Sequence, residues 1–233
     1  MSQMQKQVVC LVFFSVAMGF LESAVVVYLR EIYYPGGFQF PLSVMQPTVF
    51  ITELLREIAT LIMLAGVGYL AGRSSRQRFA FFLVAFAIWD IFYYVFLKLL
   101  LDWPESLLTW DILFLVPVPW AGPVITPCIA SVTMILLAAV LYQRDQKSIS
   151  GGISRVEWSL LGAGSLSLLL SWTWDYVARG PLSAEQSITF YSTYAPQHFN
   201  WWIFGLGECL LLSAVSILYL RTRGARFIQA RPE

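Results

Sequence analysis

The chain has 233 residues, 58% of them hydrophobic and 12% charged, where a soluble domain carries about 25% charged residues. That much apolar surface excludes a soluble globular fold, and a net charge of +1 gives no basic field for nucleic acid. The three cysteines, Cys10, Cys128 and Cys209, form neither a CxxC pair nor an even-numbered framework, so a zinc knuckle and a disulfide scaffold are excluded as well.

In chain order, six apolar stretches of about 20 residues stand out, each long enough at about 1.5 Å per residue to cross a hydrocarbon layer roughly 30 Å thick. They cover residues 8–29, 49–71, 79–101, 121–142, 157–178 and 200–220. The first resembles a secretory signal at its start, where Lys6 precedes an apolar run and Ala17–Gly19 mimics a cleavage site. The run continues through "SAVVVYL" for a full span, longer than a signal core, so it reads as a membrane helix.

Between the third and fourth stretches lies "LDWPESLLTWDILFLVPVPWAGP", too hydrophobic for an ordinary loop. Asp102 followed by Glu105 has the form of a capping box and Pro104 suits a first turn, while Pro117, Pro119 and Pro123 would end a helix. This predicts a short interfacial or re-entrant helix over 103–116, with Trp103, Trp110 and Trp120 at headgroup level. A seventh, tilted span is the alternative that the dense prolines disfavour. The expected fold is therefore all-α: a polytopic bundle of six transmembrane helices plus that short helix, forming a single domain over 1–233.

Connector charge sets the expected orientation. The connectors 71–78 and 143–155 are short and basic, whereas those after the first and fifth spans are longer and rich in aromatic residues and proline. With the N-terminus inside, the cytoplasmic side receives Lys6, Arg73, Arg76, Arg78, Arg144, Lys147, Arg155, Arg221, Arg223, Arg226 and Arg231, eleven of the fifteen basic residues. Both termini are then cytoplasmic under the positive-inside rule, and the protein belongs to the inner (plasma) membrane. Only Arg30, Arg56, Lys98 and Arg179 fall elsewhere. Arg30 and Lys98 read as snorkelling anchors, and Asp175 with Arg179 as an interfacial ion pair.

Acidic residues show the reverse bias, since only Asp145, Glu157 and Glu233 of fourteen fall on the cytoplasmic side. Measured from the outer end of each span, Glu53 lies about 6 Å deep, Glu22 about 11 Å, Glu57 and Glu208 about 12 Å, and Asp90 about 15 Å. A charge near the bilayer centre costs about 2.5–3.5 kcal/mol on insertion scales, so these carboxylates should face one another or a wet cavity. Glu53, Arg56 and Glu57 share one helix face, and Arg56 is the only basic residue at comparable depth.

The expected site is an outward-opening cavity built from Glu22, Glu57, Asp90 and Glu208 as reacting groups. Glu53, Arg56 and His198 would bind substrate or cation, with Arg56 as gate. Polar side chains also serve as interhelical glue, which is the plainer reading of any one of them. The aromatic rim of Tyr33, Tyr34, Tyr93, Tyr94, Trp201 and Trp202 could grip a lipid or isoprenoid chain.

Several chemistries lack their residues. A single histidine excludes bis-histidine haem, and HExxH, ExxH pairs, a mid-span Schiff-base lysine, a GxSxG elbow and Gly-rich nucleotide loops are all absent. "GAGSLS" at 162–167 reads as small-residue helix packing. Carboxylate chemistry is left: an outer-leaflet enzyme acting on a lipid-like substrate, with a carboxylate as base or as ligand to a hard divalent cation. A proton- or cation-coupled carrier and a non-catalytic subunit of a membrane complex are the alternatives. The lack of an acidic half-site on the cytoplasmic side disfavours a carrier.

Overall fold

The computed structural model describes residues 3–116, 118–147, 152–179 and 195–229. Pro117, residues 148–151, most of the connector after the fifth span, and Arg231 and Glu233 lie outside the described residues. Among the described residues six long helices are present: α1 (Gln3–Tyr33), α2 (Pro47–Ala71), α3 (Ser75–Leu101), α4 (Ile125–Gln146), α5 (Arg155–Arg179) and α6 (Trp201–Gln229). They run beyond the apolar stretches at several ends, because hydropathy marks only the part in hydrocarbon while the helix continues into the headgroup layer.

Five of the helices are long and apolar enough to cross a membrane: α1, α2, α3, α4 and α6. The 25 residues of α5 have the length, but Ser159, Ser165, Ser167 and Ser171 dilute its hydropathy. Large apolar side chains face outward on the spanning helices, as lipid-facing surfaces require, Phe13 being 72% and Leu70 83% exposed.

The predicted helix over 103–116 does not form. Instead β1 (Trp110–Phe114) and β2 (Trp120–Pro123) pair antiparallel, Trp110 with Pro123, Asp111 with Gly122 and Ile112 with Ala121. Asp102, read from sequence as the cap of a new helix, ends α3 in the left-handed conformation, φ 51°, which Asp tolerates. The Lys98 ammonium lies 2.7 Å from its carboxylate and donates to the Asp102 and Pro104 carbonyls. This ion pair holds the exposed Asp102 carboxyl below its ordinary pKa. Alternating Trp, Ile and Phe favour a strand, while Pro119 immediately precedes β2 and Pro123 is its last residue.

Non-helical backbone at membrane depth is tolerated only when protein satisfies it, and here it does. The N–H groups of Val124 and Ile125 donate to the carbonyls of Thr109 and Leu107. The N–H of Leu115, just past β1, donates to the Glu57 carboxylate at 3.1 and 3.0 Å.

The helices pack as α1 and α2 on α3, then α3 on α4, α4 on α6 and α6 on α5. Leu11, Met18, Leu64, Phe81 and Trp89 fill the first group. Leu83, Leu137, Leu141, Ala214 and Leu218 fill the second. The α5–α6 contact is close at Gly164, where a Cβ would come within 2.9 Å of the Gly207 carbonyl oxygen, the small-residue crossing typical of membrane helices. β2 packs on α5 and α4. There Trp120 stacks on Trp172 at 5.9 Å, and the Trp172 indole donates to Thr126. The hairpin thus sits between the α1–α3 group and the α4–α6 group.

Candidate functional site

Glu22 on α1 and Glu53, Arg56 and Glu57 on α2 meet at one level, each acid buried. The spacing of three places Arg56 beside Glu53, whose two oxygens accept from its Nε at 2.9 Å and Nη2 at 2.5 Å. The remaining guanidinium nitrogen, Nη1, donates to Glu22. One arginine therefore ties α1 to α2 and is fully engaged by two carboxylates.

A second charged group stands where the last turn of α1 meets β1 in the same space. Arg30, in the last turn of α1, pairs with Asp111 of β1 at 3.5 Å, and both are buried. Asp111 also accepts from the Tyr94 hydroxyl at 3.3 Å and the Tyr93 hydroxyl at 3.5 Å. The guanidinium lies against Trp103, 3.8 Å from the ring centre, and Phe38, at 4.6 Å. These cation–π contacts replace part of the hydration that Arg30 loses. Arg30 is thus a buried structural cation rather than a snorkelling anchor, whereas Lys98 is half exposed and paired with the exposed Asp102.

Both groups line one cavity of about 380 Å³ bounded by α1, α2, α3, β1 and the connector 34–46. The connector is held over it by hydrogen bonds from the Ser43 N–H to the Tyr34 hydroxyl and from the Ser43 hydroxyl to the Tyr33 carbonyl. Its ionisable lining comprises Glu22, Glu53, Glu57, Asp90 and Asp111 against Arg30 and Arg56. Glu57 binds only the Leu115 N–H, and Asp90 accepts from the Ser131 hydroxyl of α4 at 2.8 Å. Among the described residues neither has a cation within ion-pair distance.

The structure therefore brings together Glu22, Glu53, Arg56, Glu57 and Asp90, but not Glu208 or His198. Glu208 faces α4, where its Oε2 accepts from the Thr133 hydroxyl at 2.8 Å and its Oε1 has no partner. It shares the depth of the other acids and not their direction. His198 is exposed in the segment leading into α6 and does not line the cavity. Asp175 and Arg179 form the expected ion pair near the end of α5.

Asp111 is the member that sequence reasoning missed, and Tyr93 and Tyr94, read there as part of an aromatic rim, are its hydrogen-bond donors. The signal was available, an acid inside the apolar run "TWDILFLV", but a headgroup-level helix would have left it in water. Among the described residues no three His, Cys, Asp or Glu side chains converge with metal-binding geometry. No family model, curated protein or solved structure matches the chain.

Proposed function

We propose that the protein is a six-crossing inner-membrane protein with both termini cytoplasmic, whose acidic cavity opens outward and binds a cationic group for an outer-leaflet activity on a lipid-like substrate. The observation that carries this is the charge balance of the lining. Five carboxyl groups face two guanidiniums, and both arginines are already paired. Glu57 and Asp90 are left without a counter-ion where solvation by bulk water is weak, and an unpaired charge there is costly. A ligand ammonium or a small cation relieves that cost, which makes the site selective for positive charge.

Enzyme or binding protein is favoured over a carrier by the cytoplasmic half. Its acids are engaged in fixed structural roles: Asp145 accepts from Ser74 and Gln77, and Glu157 pairs with Arg221 and forms a capping box with Ser154. Among the described residues neither is left to receive a cargo cation on that side.

Methylammonium, titrated calorimetrically into purified protein, is expected to bind saturably. Glu57→Gln keeps an acceptor for the Leu115 N–H, so the fold persists, while affinity falls at least about tenfold, the equivalent of ~1.4 kcal/mol. Glu208→Gln leaves affinity unchanged. Absent binding, or equal affinity in Glu57→Gln, overturns the proposal.

A further inference from the structure

A second cavity, of about 390 Å³, lies between the α3–α4 pair and α5–α6, roofed by the hairpin. It is elongated along the helix axes. Its lining runs from Phe79 to Asp90 on α3 and from Trp158 to Trp172 on α5, spans of about 16 and 21 Å at 1.5 Å per residue. The Phe79 and Trp158 rings, 6.3 Å apart, close the inner end. Gly162 and Ser165, both exposed, mark a rim open to lipid.

The walls are apolar apart from Asp90, Ser131, Thr133, Ser165 and the indoles. The Ser131 and Thr133 hydroxyls are committed to Asp90 and Glu208. The apolar part of the cleft away from Asp90 is the kind of space that stays dry. A helix about 10 Å across and of this length would need several times the volume. A single hydrocarbon chain has the right width to run along the helix axes, with its polar end at mid-depth beside Asp90 and its tail toward the Phe79–Trp158 end.

The outer end is not apolar, and it identifies the head. Trp89, Asp90 and Leu113 line both this cleft and the carboxylate cavity. Trp89, 5% exposed, has an indole N–H without an acceptor among the described residues, as does Trp120. Buried donors of this kind are normally satisfied. A chain in the cleft puts its polar end beside these donors and at Asp90, where the acidic cavity begins.

We propose that the cleft is the chain-binding half of a bipartite site, and that the ligand is an amphiphile with an ammonium head and one hydrocarbon chain seated between α3 and α5. The ammonium meets Asp90, and an ester or phosphoester oxygen, where the ligand has one, accepts from the indoles. This rests on the cation-binding role proposed above and adds the chain, the orientation and the class of ligand. A long-chain amine and one chain of an aminolipid present the same chemistry.

The test uses the full-length protein in phosphatidylcholine vesicles and two photoreactive probes with a diazirine in mid-chain, a C16 primary amine and a phosphatidylethanolamine. The same-chain alcohol serves as control. Mass spectrometry is expected to place adducts of at least one amine probe on the buried Leu137 and Leu161, at least fivefold above the alcohol. Labelling by the amine alone identifies a free long-chain amine, and labelling by the phosphatidylethanolamine identifies an aminolipid.

Gly162→Phe, at a position where a Cβ meets open space, should fill the cleft and reduce these adducts at least tenfold without altering methylammonium binding. Asp90→Asn should remove the preference over the alcohol. Adducts confined to outward-facing residues such as Leu166 and Leu170, equal labelling by the alcohol, or undiminished labelling in Gly162→Phe overturn the chain site while methylammonium titration still stands. Loss of methylammonium binding in the wild type overturns the underlying cation site instead.

Discussion

Arg56→Met is expected to destabilise the protein by about 3–5 kcal/mol, the range for removing one partner of a buried ion pair. Arg56 holds Glu22 of α1 and both oxygens of Glu53, so its loss leaves two buried carboxylates facing each other across a helix interface. Thermal unfolding in detergent, followed by size-exclusion chromatography, reads the effect as a large fall in midpoint. The triple variant Arg56→Met, Glu22→Gln, Glu53→Gln should recover most of the loss, because neutral amides neither repel nor demand a counter-ion. A packing role for the arginine stem would give equal losses in both variants. Near-wild-type stability in Arg56→Met would show that the acids do not depend on it.

Asp111→Ala should cost about 3 kcal/mol, at the lower end of the same range because the Arg30 contact is long at 3.5 Å. The substitution removes the acceptor shared by Arg30, Tyr93 and Tyr94 and so frees the start of β1 from α1 and α3. Protease sensitivity of the 102–109 turn should rise with it. Asp111→Asn keeps an acceptor for the tyrosines and should lose less than half as much. Identical behaviour of the two variants would mean that the charge, rather than hydrogen bonding, anchors the hairpin.

Five of the helices were legible because hydropathy alone defines them, whereas the sixth predicted span, α5, has the length but not the hydropathy. The Glu22–Glu53–Arg56 cluster was legible because depth and a spacing of three are both properties of the sequence. Glu208 shows where that reasoning stops. Depth follows from position along a helix, but direction around it is set by packing, and the packing of α6 on α4 turns Glu208 toward Thr133. The hairpin was obscured for a different reason. Asp102 and Glu105 imitate a capping box, and nothing local reveals that Asp102 instead terminates α3 beside Lys98. With that segment misplaced, Asp111 and the true role of Arg30 were out of reach, since the pair joins residues 81 apart in sequence.

The charge excess of the cavity, which we propose faces outward, can be measured at Val26, which lines it one turn from both Glu22 and Arg30. In a background with the native cysteines replaced, Val26→Cys is treated from either side of the membrane with cationic or anionic methanethiosulfonate of similar size. Five carboxyl groups against two paired arginines predict reaction from the outside only, with the cationic reagent at least about tenfold faster, as expected of electrostatic focusing in a cleft. Equal rates for the two reagents, a faster anionic reagent, or reaction from the cytoplasmic side would contradict an outward-facing acidic cavity.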